Sequence, residues 1–326
     1  MKNMANYKLL RILMFLTFFV NSLETSAYDF EVDGIYYNNI SYQANEVQVT
    51  SGDSQYSGDV VIPESVVYDG VEYSVVSISG YAFYDSYDLT SIVISKSVKV
   101  IGDNAFEGCV RLTSVEIGES VERIAYGAFY GCSALTSIII PQKVTDIEIY
   151  AFYSCTALTT IKVLEGNTKY DSRDNCNCII ETATNTIIQG CKNSIIPSSV
   201  TTIGDWAFHS ISTLDNINIP SSVTTIGNGA FGMTGLTSVI IPNSVTRIGF
   251  MAFESCANLT SITIPNSVIS MGHGAFASCS SLTSFVIPSK VSSIDEYTFH
   301  NCKRLSNITI PEGITVIGKY AFSGCI

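Results

Sequence analysis

Residues 259–279 have the sequence LTSITIPNSVISMGHGAFASC, and variants of this unit fill most of the chain. The Ala-Phe pair of the unit, replaced once by Thr298-Phe299, returns every 22 or 23 residues, with a single longer gap between Phe152 and Phe208. The ten repeat phenylalanines are Phe83, Phe106, Phe129, Phe152, Phe208, Phe231, Phe253, Phe276, Phe299 and Phe322. A fixed period of this length predicts a solenoid, because a single unit cannot bury its apolar face without a neighbour.

The start of each unit predicts a short strand. Alternation along the strand sends Ile262 and Ile264 inward and Thr263 outward. Pro265 then ends the strand, since proline has no N–H for the ladder. The chain is 46% hydrophobic and only 14% charged, which fits one continuous core of stacked turns. The L-x-x-I-x-I start resembles the strand segment of leucine-rich repeats, so the predicted fold class is a β-rich leucine-rich repeat solenoid of about ten repeats. Its L-x-x-I-x-I strands are predicted to form one parallel sheet, with Ile240 and Ile262 on adjacent strands.

The N-terminus predicts export. Lys2, Lys8 and Arg11 precede an apolar stretch at 12–20, and small residues end the segment at Ala27, so residues 1–27 are predicted to be a signal peptide. Without that segment the chain has 14 basic and 28 acidic residues, a net charge of −14. Nucleic acid and anionic membrane surfaces are poor partners for such a charge, and no membrane insertion is expected after cleavage.

The remaining chain divides into a cap and the solenoid. Residues 28–77 are predicted to form a β-rich N-terminal cap, because Asp33-Gly34 and Asp69-Gly70 are strong hairpin signals. The solenoid is predicted over 78–326, with a hairpin inserted at about 165–193 in which Ile180 faces Ile187. The last repeat is followed by no further strand, so we expect an open C-terminal edge through which the protein could associate.

The repeat unit resembles the leucine-rich repeats of BspA-type bacterial surface proteins. The resemblance rests on the L-T-S-I-x-I-P…I-G-x-x-A-F-x-x-C pattern over 78–326, and the segments beginning at Tyr28 and Tyr170 are also similar to members of that family. It implies a secreted or surface-displayed binding protein, often linked to adhesion to host proteins or other bacteria. It carries over no catalytic motif.

Ten cysteines in an exported chain raise the question of disulfides. Seven lie three residues after a repeat phenylalanine, and we expect these to be buried, reduced and packed as small hydrophobic side chains. They are Cys109, Cys132, Cys155, Cys256, Cys279, Cys302 and Cys325. In the inserted hairpin Cys176 and Cys191 face each other in the predicted register and are the candidates for a disulfide. A metal site is not predicted, because ligands stacked in parallel do not converge.

No enzyme signature is present. The three histidines, His209, His273 and His300, occupy variable positions with no partnered nucleophile or carboxylate at a meaningful spacing. Asp171 and Asp174 do not have the loop spacing of a known calcium site. We therefore expect a protein that is not an enzyme and needs no cofactor.

Two surfaces are candidates for binding. The first is the outward side of the predicted strands, where Ile139, Ile240 and Val286 would be apolar and exposed. The second is a column of aromatic residues two positions before the repeat phenylalanines, which could anchor a protein or stack on a sugar. Its members are Tyr81, Tyr150, Trp206, Tyr297 and Tyr320. The alternative for this column is packing against the adjacent turn.

The leading functional hypothesis is a non-enzymatic exported scaffold for cell-surface adhesion or protein–protein recognition. Its partner would be a host matrix protein or a protein of another cell surface. The alternative hypothesis is glycan binding through the aromatic column, which requires exposed and coplanar rings. A hydrolase would need a carboxylate pair or a catalytic triad in the insertion, and neither is found in the sequence.

Overall fold

The computed structural model describes residues 27–326 and has a solenoid of about ten turns at its centre. The predicted signal peptide lies outside the described residues except for Ala27. Within the described part of the chain the only helical segment is a 3-10 turn at Arg173–Asn175, and no helix there is long and apolar enough to cross a membrane.

Two columns of short strands run along the solenoid. The first column, called the strand face below, consists of β4 (Gly58–Ile62), β7 (Leu89–Ile94), β9 (Ser114–Glu116), β11 (Ser137–Ile140), β13 (Thr160–Val163), β19 (Ser238–Ile240), β21 (Ser261–Thr263), β23 (Ser284–Val286) and β25 (Asn307–Thr309). The second column consists of β6 (Val71–Ile78), β8 (Val100–Ile101), β10 (Arg123–Ile124), β12 (Asp146–Ile147), β16 (Thr186–Gln189), β17 (Thr202–Ile203), β18 (Thr225–Ile226), β20 (Arg247–Ile248), β22 (Ser270–Met271), β24 (Ser293–Ile294) and β26 (Val316–Ile317).

The strands of the strand face pair in parallel, as the repeat pattern predicts. Val239 lies beside Ile262, and Ile240 lies beside Thr263. The expectation of one continuous sheet was wrong, because the column divides into four separate sheets. Two divisions fall where the bond between neighbouring threonine positions is long: Thr136 N to Thr113 O and Thr283 N to Thr260 O are each 3.5 Å. Such distances are at the limit of a hydrogen bond, so the ladder is weakest there, although the neighbouring strands remain in contact.

The cap is built from hairpins, as predicted from its two Asp-Gly pairs. Both pairs have positive φ at both residues, as the tight turn between two antiparallel strands requires. The Asp33-Gly34 turn joins β1 (Phe30–Val32) to β2 (Ile35–Ser41), and the Asp69-Gly70 turn joins β5 (Ser65–Tyr68) to β6. The remaining cap strand, β3 (Glu46–Thr50), pairs in parallel with β6 and so covers the first turn of the second column.

The core is a stack of phenylalanine rings with a column of cysteines beside it. Neighbouring rings are nearly parallel, for example 5.0 Å apart at 1° for Phe106 and Phe129. The stack has two segments, one from Phe83 to Phe152 and one from Phe208 to Phe322. Buried residues also form two clusters that divide at this point.

The division in the core is made by the insertion. Its hairpin consists of β15 (Ile179–Glu181) and β16, and the predicted pairing of Ile180 with Ile187 is confirmed. An additional strand, β14 (Tyr170–Asp171), pairs antiparallel with β15. Because β16 also pairs in parallel with β17, the insertion supplies the first strand of the second segment of column two.

Candidate functional site

The aromatic column occupies a backbone position with positive φ. The residue two positions before each repeat phenylalanine has φ between 51° and 64° in all ten repeats: Tyr81, Asn104, Gly127, Tyr150, Trp206, Gly229, Met251, Gly274, Tyr297 and Tyr320. Non-glycine residues adopt this conformation at a cost on the order of 1 kcal/mol each. The turn therefore suits glycine, and the aromatic side chains at this position are retained against that cost.

The column does not form one flat platform. Tyr81 and Tyr320 are more than half exposed, whereas Tyr150, Trp206 and Tyr297 are half-buried. The rings of Tyr150 and Trp206 are 5.7 Å apart at 54°, and those of Tyr297 and Tyr320 are 5.2 Å apart at 31°. The coplanar arrangement that a long glycan would need is therefore absent from these pairs.

Four aromatic residues gather where the insertion interrupts the solenoid. Tyr150 lies 5.2 Å from Tyr153, His209 stacks on Tyr153 at 4.8 Å, and Trp206 lies 5.0 Å from His209. The Trp206 ring also covers Gly229, where an added Cβ would clash with it. Trp206 therefore packs against the adjacent turns and exposes only part of its ring.

Burial controls the charge state of this cluster. It raises the pKa of Tyr153 to about 12, against a smaller lowering effect of a hydrogen bond with Ser210. It also lowers the pKa of His209 to about 4. Both side chains are therefore neutral near pH 7, and the cluster offers apolar ring surface rather than a charge.

The insertion also breaks a ladder of backbone hydrogen bonds between the repeats of Phe152 and Phe208. This junction is called the seam below. In a regular repeat the phenylalanine N–H donates to the carbonyl of the next repeat, as from Phe129 N to Ala151 O at 2.8 Å. At the seam the Ala207 carbonyl instead accepts from Gly190 N at 2.7 Å. The buried Phe152 N–H is left without an acceptor among residues 27–326. An unsatisfied buried group of this kind costs about 1–3 kcal/mol.

The edge of β12 is open at the same place. In the preceding turns the strand carbonyl is used by the next repeat, as from Ala125 N to Ile101 O and from Glu148 N to Ile124 O, both 3.0 Å. The Ile147 carbonyl has no donor within the described chain, because β16 does not pair with β12. Column two is therefore interrupted after β12, as it is again between β22 and β24, and backbone hydrogen-bonding groups remain at the edge of β12.

A cleft of about 230 Å³ occupies the seam between β12 and β16. The aromatic residues Tyr150, Tyr153 and Trp206 line it, together with Ile147 and Phe152. This cleft, called the seam cleft below, was not predicted from the sequence. It combines ring surface with unsatisfied backbone groups.

A larger depression of about 740 Å³ lies in the cap beside β4. The buried Tyr56 lines it, and its hydroxyl donates to Thr50 O at 2.6 Å and accepts from Tyr36 N at 3.1 Å. Tyr56 therefore holds the cap together.

The strand face carries exposed apolar side chains in register. Ile240 is 75% exposed, Val286 64%, Val61 63% and Ile139 48%. Polar residues stand beside three of them in the same outward row, because Ile139 pairs with Lys162, Ile240 with Thr263 and Val286 with Thr309. The predicted exposure of Ile139, Ile240 and Val286 is confirmed.

The threonine column of the strand face has a structural role. Thr113 Oγ1 donates to Thr90 O at 3.1 Å, and Thr260 Oγ1 donates to Thr237 O at 3.0 Å. These hydroxyls therefore tie consecutive turns together. The apolar row remains as the part of this face that folding does not explain.

The seven cysteines of the repeat are free thiols, and all except the half-buried Cys325 are buried. Each donates to the carbonyl of the phenylalanine 25 or 26 residues earlier, as from Cys279 Sγ to Phe253 O at 3.1 Å. Burial raises their pKa values, to about 12 for Cys155 and about 11 for Cys256. The thiols therefore join neighbouring turns as neutral donors, a role that the sequence did not indicate.

The predicted partners Cys176 and Cys191 are also free thiols in the structure. Cys176 Sγ donates to Cys178 O at 3.5 Å, and Cys191 Sγ donates to Asn177 O at 3.3 Å. A bulge between Ile179 and Ile180 shifts the register of the hairpin at its cysteine-bearing end. The predicted register, in which Cys176 lies opposite Cys191, does not continue beyond that bulge. The disulfide stays a prediction.

No residue group in 27–326 is arranged to hold a metal ion through three or more His, Cys, Asp or Glu side chains. Asp171 is engaged by Arg173, with 2.6 Å between Asp171 Oδ2 and Arg173 Nη2. Asp171 therefore binds a guanidinium group of its own chain.

The repeat length, the L-x-x-I-x-I strands and the stacked turns define a leucine-rich repeat solenoid. The family model described as the BspA type leucine rich repeat region matches residues 76–188 and 185–306, in six copies. The chain belongs to this family. No curated protein gives a significant match to it.

Solved bacterial structures share the architecture. A leucine rich cell surface protein from Faecalibacterium prausnitzii is 25% identical, with 91% of this chain and 92% of that chain covered and a TM-score of 0.50. A leucine-rich repeat protein from Eubacterium ventriosum is 23% identical, with 86% and 90% covered and a TM-score of 0.62. The pneumococcal vaccine antigen PcpA is 17% identical, with 89% and 87% covered and a TM-score of 0.61. The last two establish similarity of fold alone.

Proposed function

We propose that this protein is an exported, non-enzymatic binding protein of the bacterial cell surface, and that it recognises a protein partner through the strand face. The N-terminal sequence supports export, and the similarity to the leucine rich cell surface protein of Faecalibacterium prausnitzii supports a surface location. The observation that carries the proposal is the exposed apolar row containing Ile139, Ile240 and Val286.

The chemistry of the strand face favours a protein as its partner. Folding gains nothing from leaving Ile240 three-quarters exposed, and side chains of this kind gain free energy when a partner removes them from water. The same outward row carries Glu116 and Lys162 and is otherwise neutral, so a partner would meet apolar side chains with polar ones between them. Repetition of similar positions favours many modest contacts over one deep site.

The test uses residues 28–326 on an array of purified extracellular-matrix proteins and bacterial surface proteins. Ile240→Glu places a charge in the middle of the proposed interface and is expected to weaken binding at least tenfold. Ile269→Glu is the matched control, because Ile269 is 58% exposed and lies outside the strand face. Both variants are compared with the unmodified chain by circular dichroism.

Loss of binding with Ile240→Glu alone supports the proposal. Equal binding by all three chains would contradict it, as would equal loss with both variants. Absence of binding to every protein on the array would also count against it. The glycan alternative is not proposed for the whole aromatic column, because its rings are not coplanar.

A further inference from the structure

The seam is the junction in the described chain at which the repeat phenylalanine N–H does not donate to the next turn. At the other junctions between consecutive repeats of residues 27–326 this N–H donates to a carbonyl of the next repeat, as from Phe253 N to Ala275 O at 2.8 Å. At the seam, Gly190 N donates to the Ala207 carbonyl, and Phe152 N–H has no acceptor within the described chain. The Ile147 carbonyl has no donor there either. Both Phe152 and Ile147 line the seam cleft.

The walls of the cleft are aromatic and have fixed orientations. Tyr150 is 5.7 Å from Trp206 and 5.2 Å from Tyr153, at interplanar angles of 54° and 85°, so the three rings form a corner. Positive φ values of 64° at Tyr150 and 61° at Trp206 set how these two side chains leave the backbone. The faces of such rings carry partial negative charge and attract the C–H groups of an apolar ligand face.

The polar lining of the cleft favours hydroxyl groups over anions. Glu148, Asp205 and Gln189 line it, and no lysine or arginine does. Asp205 is held by Asn228, whose N and Nδ2 donate to it at 2.7 and 2.9 Å, and Glu148 is paired with Arg123 outside the lining. These carboxylates repel phosphate, sulfate and carboxylate groups, and their oxygens accept hydrogen bonds from hydroxyls.

We propose that the seam cleft binds one neutral saccharide residue. Such a residue has an apolar C–H face for the rings, hydroxyl donors for the carboxylates, and both donors and acceptors for Phe152 N–H and Ile147 O. The cleft volume of about 230 Å³ lies below the roughly 300–1,000 Å³ typical of sites for drug-sized ligands, which favours a single sugar unit. This site is separate from the strand face, so it does not depend on the proposed protein partner.

The single tryptophan of the chain makes the test direct, because Trp206 lines the cleft. Residues 28–326 are titrated with glucose, galactose, mannose and N-acetylglucosamine while tryptophan fluorescence and its quenching by acrylamide are recorded. At least one of these sugars is expected to shift the emission and reduce quenching, with a Kd on the order of millimolar for so few contacts. A neutral-glycan array, with sialylated and sulfated glycans beside it, separates a free sugar from the end of a glycan as the source.

Tyr150→Gly removes one wall at a position where other repeats have glycine, as at Gly127 with φ 59°. This variant is expected to weaken sugar binding at least tenfold. Met251→Gly is the matched control, since Met251 has the same backbone position with φ 51° and is not part of the cleft lining. Thermal unfolding of both variants establishes that they are folded.

Three outcomes would overturn the proposal. The first is no change in fluorescence, quenching or array signal with any neutral saccharide, which would mean that the cleft holds water only. The second is a preference for sialylated or sulfated glycans. The third is equal weakening by Tyr150→Gly and Met251→Gly. Because the strand-face variants are assayed on proteins, failure here leaves the result for the proposed function unchanged.

Discussion

Replacing Cys109 with serine is expected to reduce the loss of stability at alkaline pH. Burial raises the pKa of the Cys109 thiol from its ordinary value of 9.0 to about 12, against a smaller lowering effect of a backbone hydrogen bond at Ser86. Between these two values the folded chain keeps a proton that the unfolded chain releases. The stabilisation from this thiol is therefore complete below pH 9 and is lost as the pH rises through 12. At about pH 10.5 the loss is about 2 kcal/mol.

Serine is the appropriate replacement because the chain already uses it. Ser86 occupies the corresponding position one turn earlier and is buried, and a hydroxyl at position 109 can still donate to Phe83 O. Urea unfolding followed by circular dichroism gives the free energy of unfolding of both chains at about pH 8 and about pH 10.5. Between these pH values the unmodified chain is expected to lose about 2 kcal/mol more than Cys109→Ser.

The half-buried Cys325 supplies the control for this experiment. Its pKa is raised by burial, but its position at the last repeat leaves it more accessible than Cys109. Cys325→Ser should therefore change the pH dependence less than Cys109→Ser. If the unmodified chain and Cys109→Ser lose the same free energy, the buried thiol is not what makes the fold sensitive to alkali.

Two further predictions concern the core and the seam. Phe253→Ala should lower the free energy of unfolding by about 3–5 kcal/mol, because Phe253 is fully buried between Phe231 and Phe276, with ring centroids at 5.4 and 5.6 Å. Phe322 is half-buried and has one ring neighbour, so Phe322→Ala should lower the free energy of unfolding clearly less when both variants are unfolded in urea. Equal losses would contradict the stacking argument. Burial lowers the pKa of His209 from 6.5 to about 4, so its contribution is present above pH 6.5 and is lost as the pH falls toward 4. Between about pH 7 and about pH 5, His209→Phe should therefore lose about 2 kcal/mol less of its free energy of unfolding than the unmodified chain. If both chains lose the same free energy between these pH values, His209 is not the cause of the loss.

The period of the sequence was sufficient to predict the solenoid, the parallel pairing of Ile240 with its neighbour and the cap hairpins. These features depend on local alternation and on Asp-Gly turns, which are visible in the residues themselves. The continuity of the strand face could not be predicted, because it depends on differences of about half an ångström in the spacing of neighbouring turns, as at Thr136 and Thr283.

The aromatic column shows what the sequence indicated and what was missed. Gly127, Gly229, Gly274 and Asn104 alternate with the aromatic residues at one position of the repeat, and glycine and asparagine are the residues that most readily adopt positive φ. That signal could have identified the strained turn. The seam cleft had no such signal, since it depends on how the inserted residues re-enter the stack at Gly190.

A perfect repeat has little capacity for a single specific site. Each turn satisfies the hydrogen bonds of the one before, so whatever a turn offers is offered many times, and binding can be strengthened only by adding similar contacts. An insertion removes this equivalence at one place. In this chain the Ala207 carbonyl accepts a hydrogen bond from Gly190 of the insertion. Trp206 lies beside Tyr150 and Tyr153 at the same place. The strand face and the seam cleft therefore fit two kinds of recognition, one extended and one local, and the Ile240→Glu and Tyr150→Gly variants separate them.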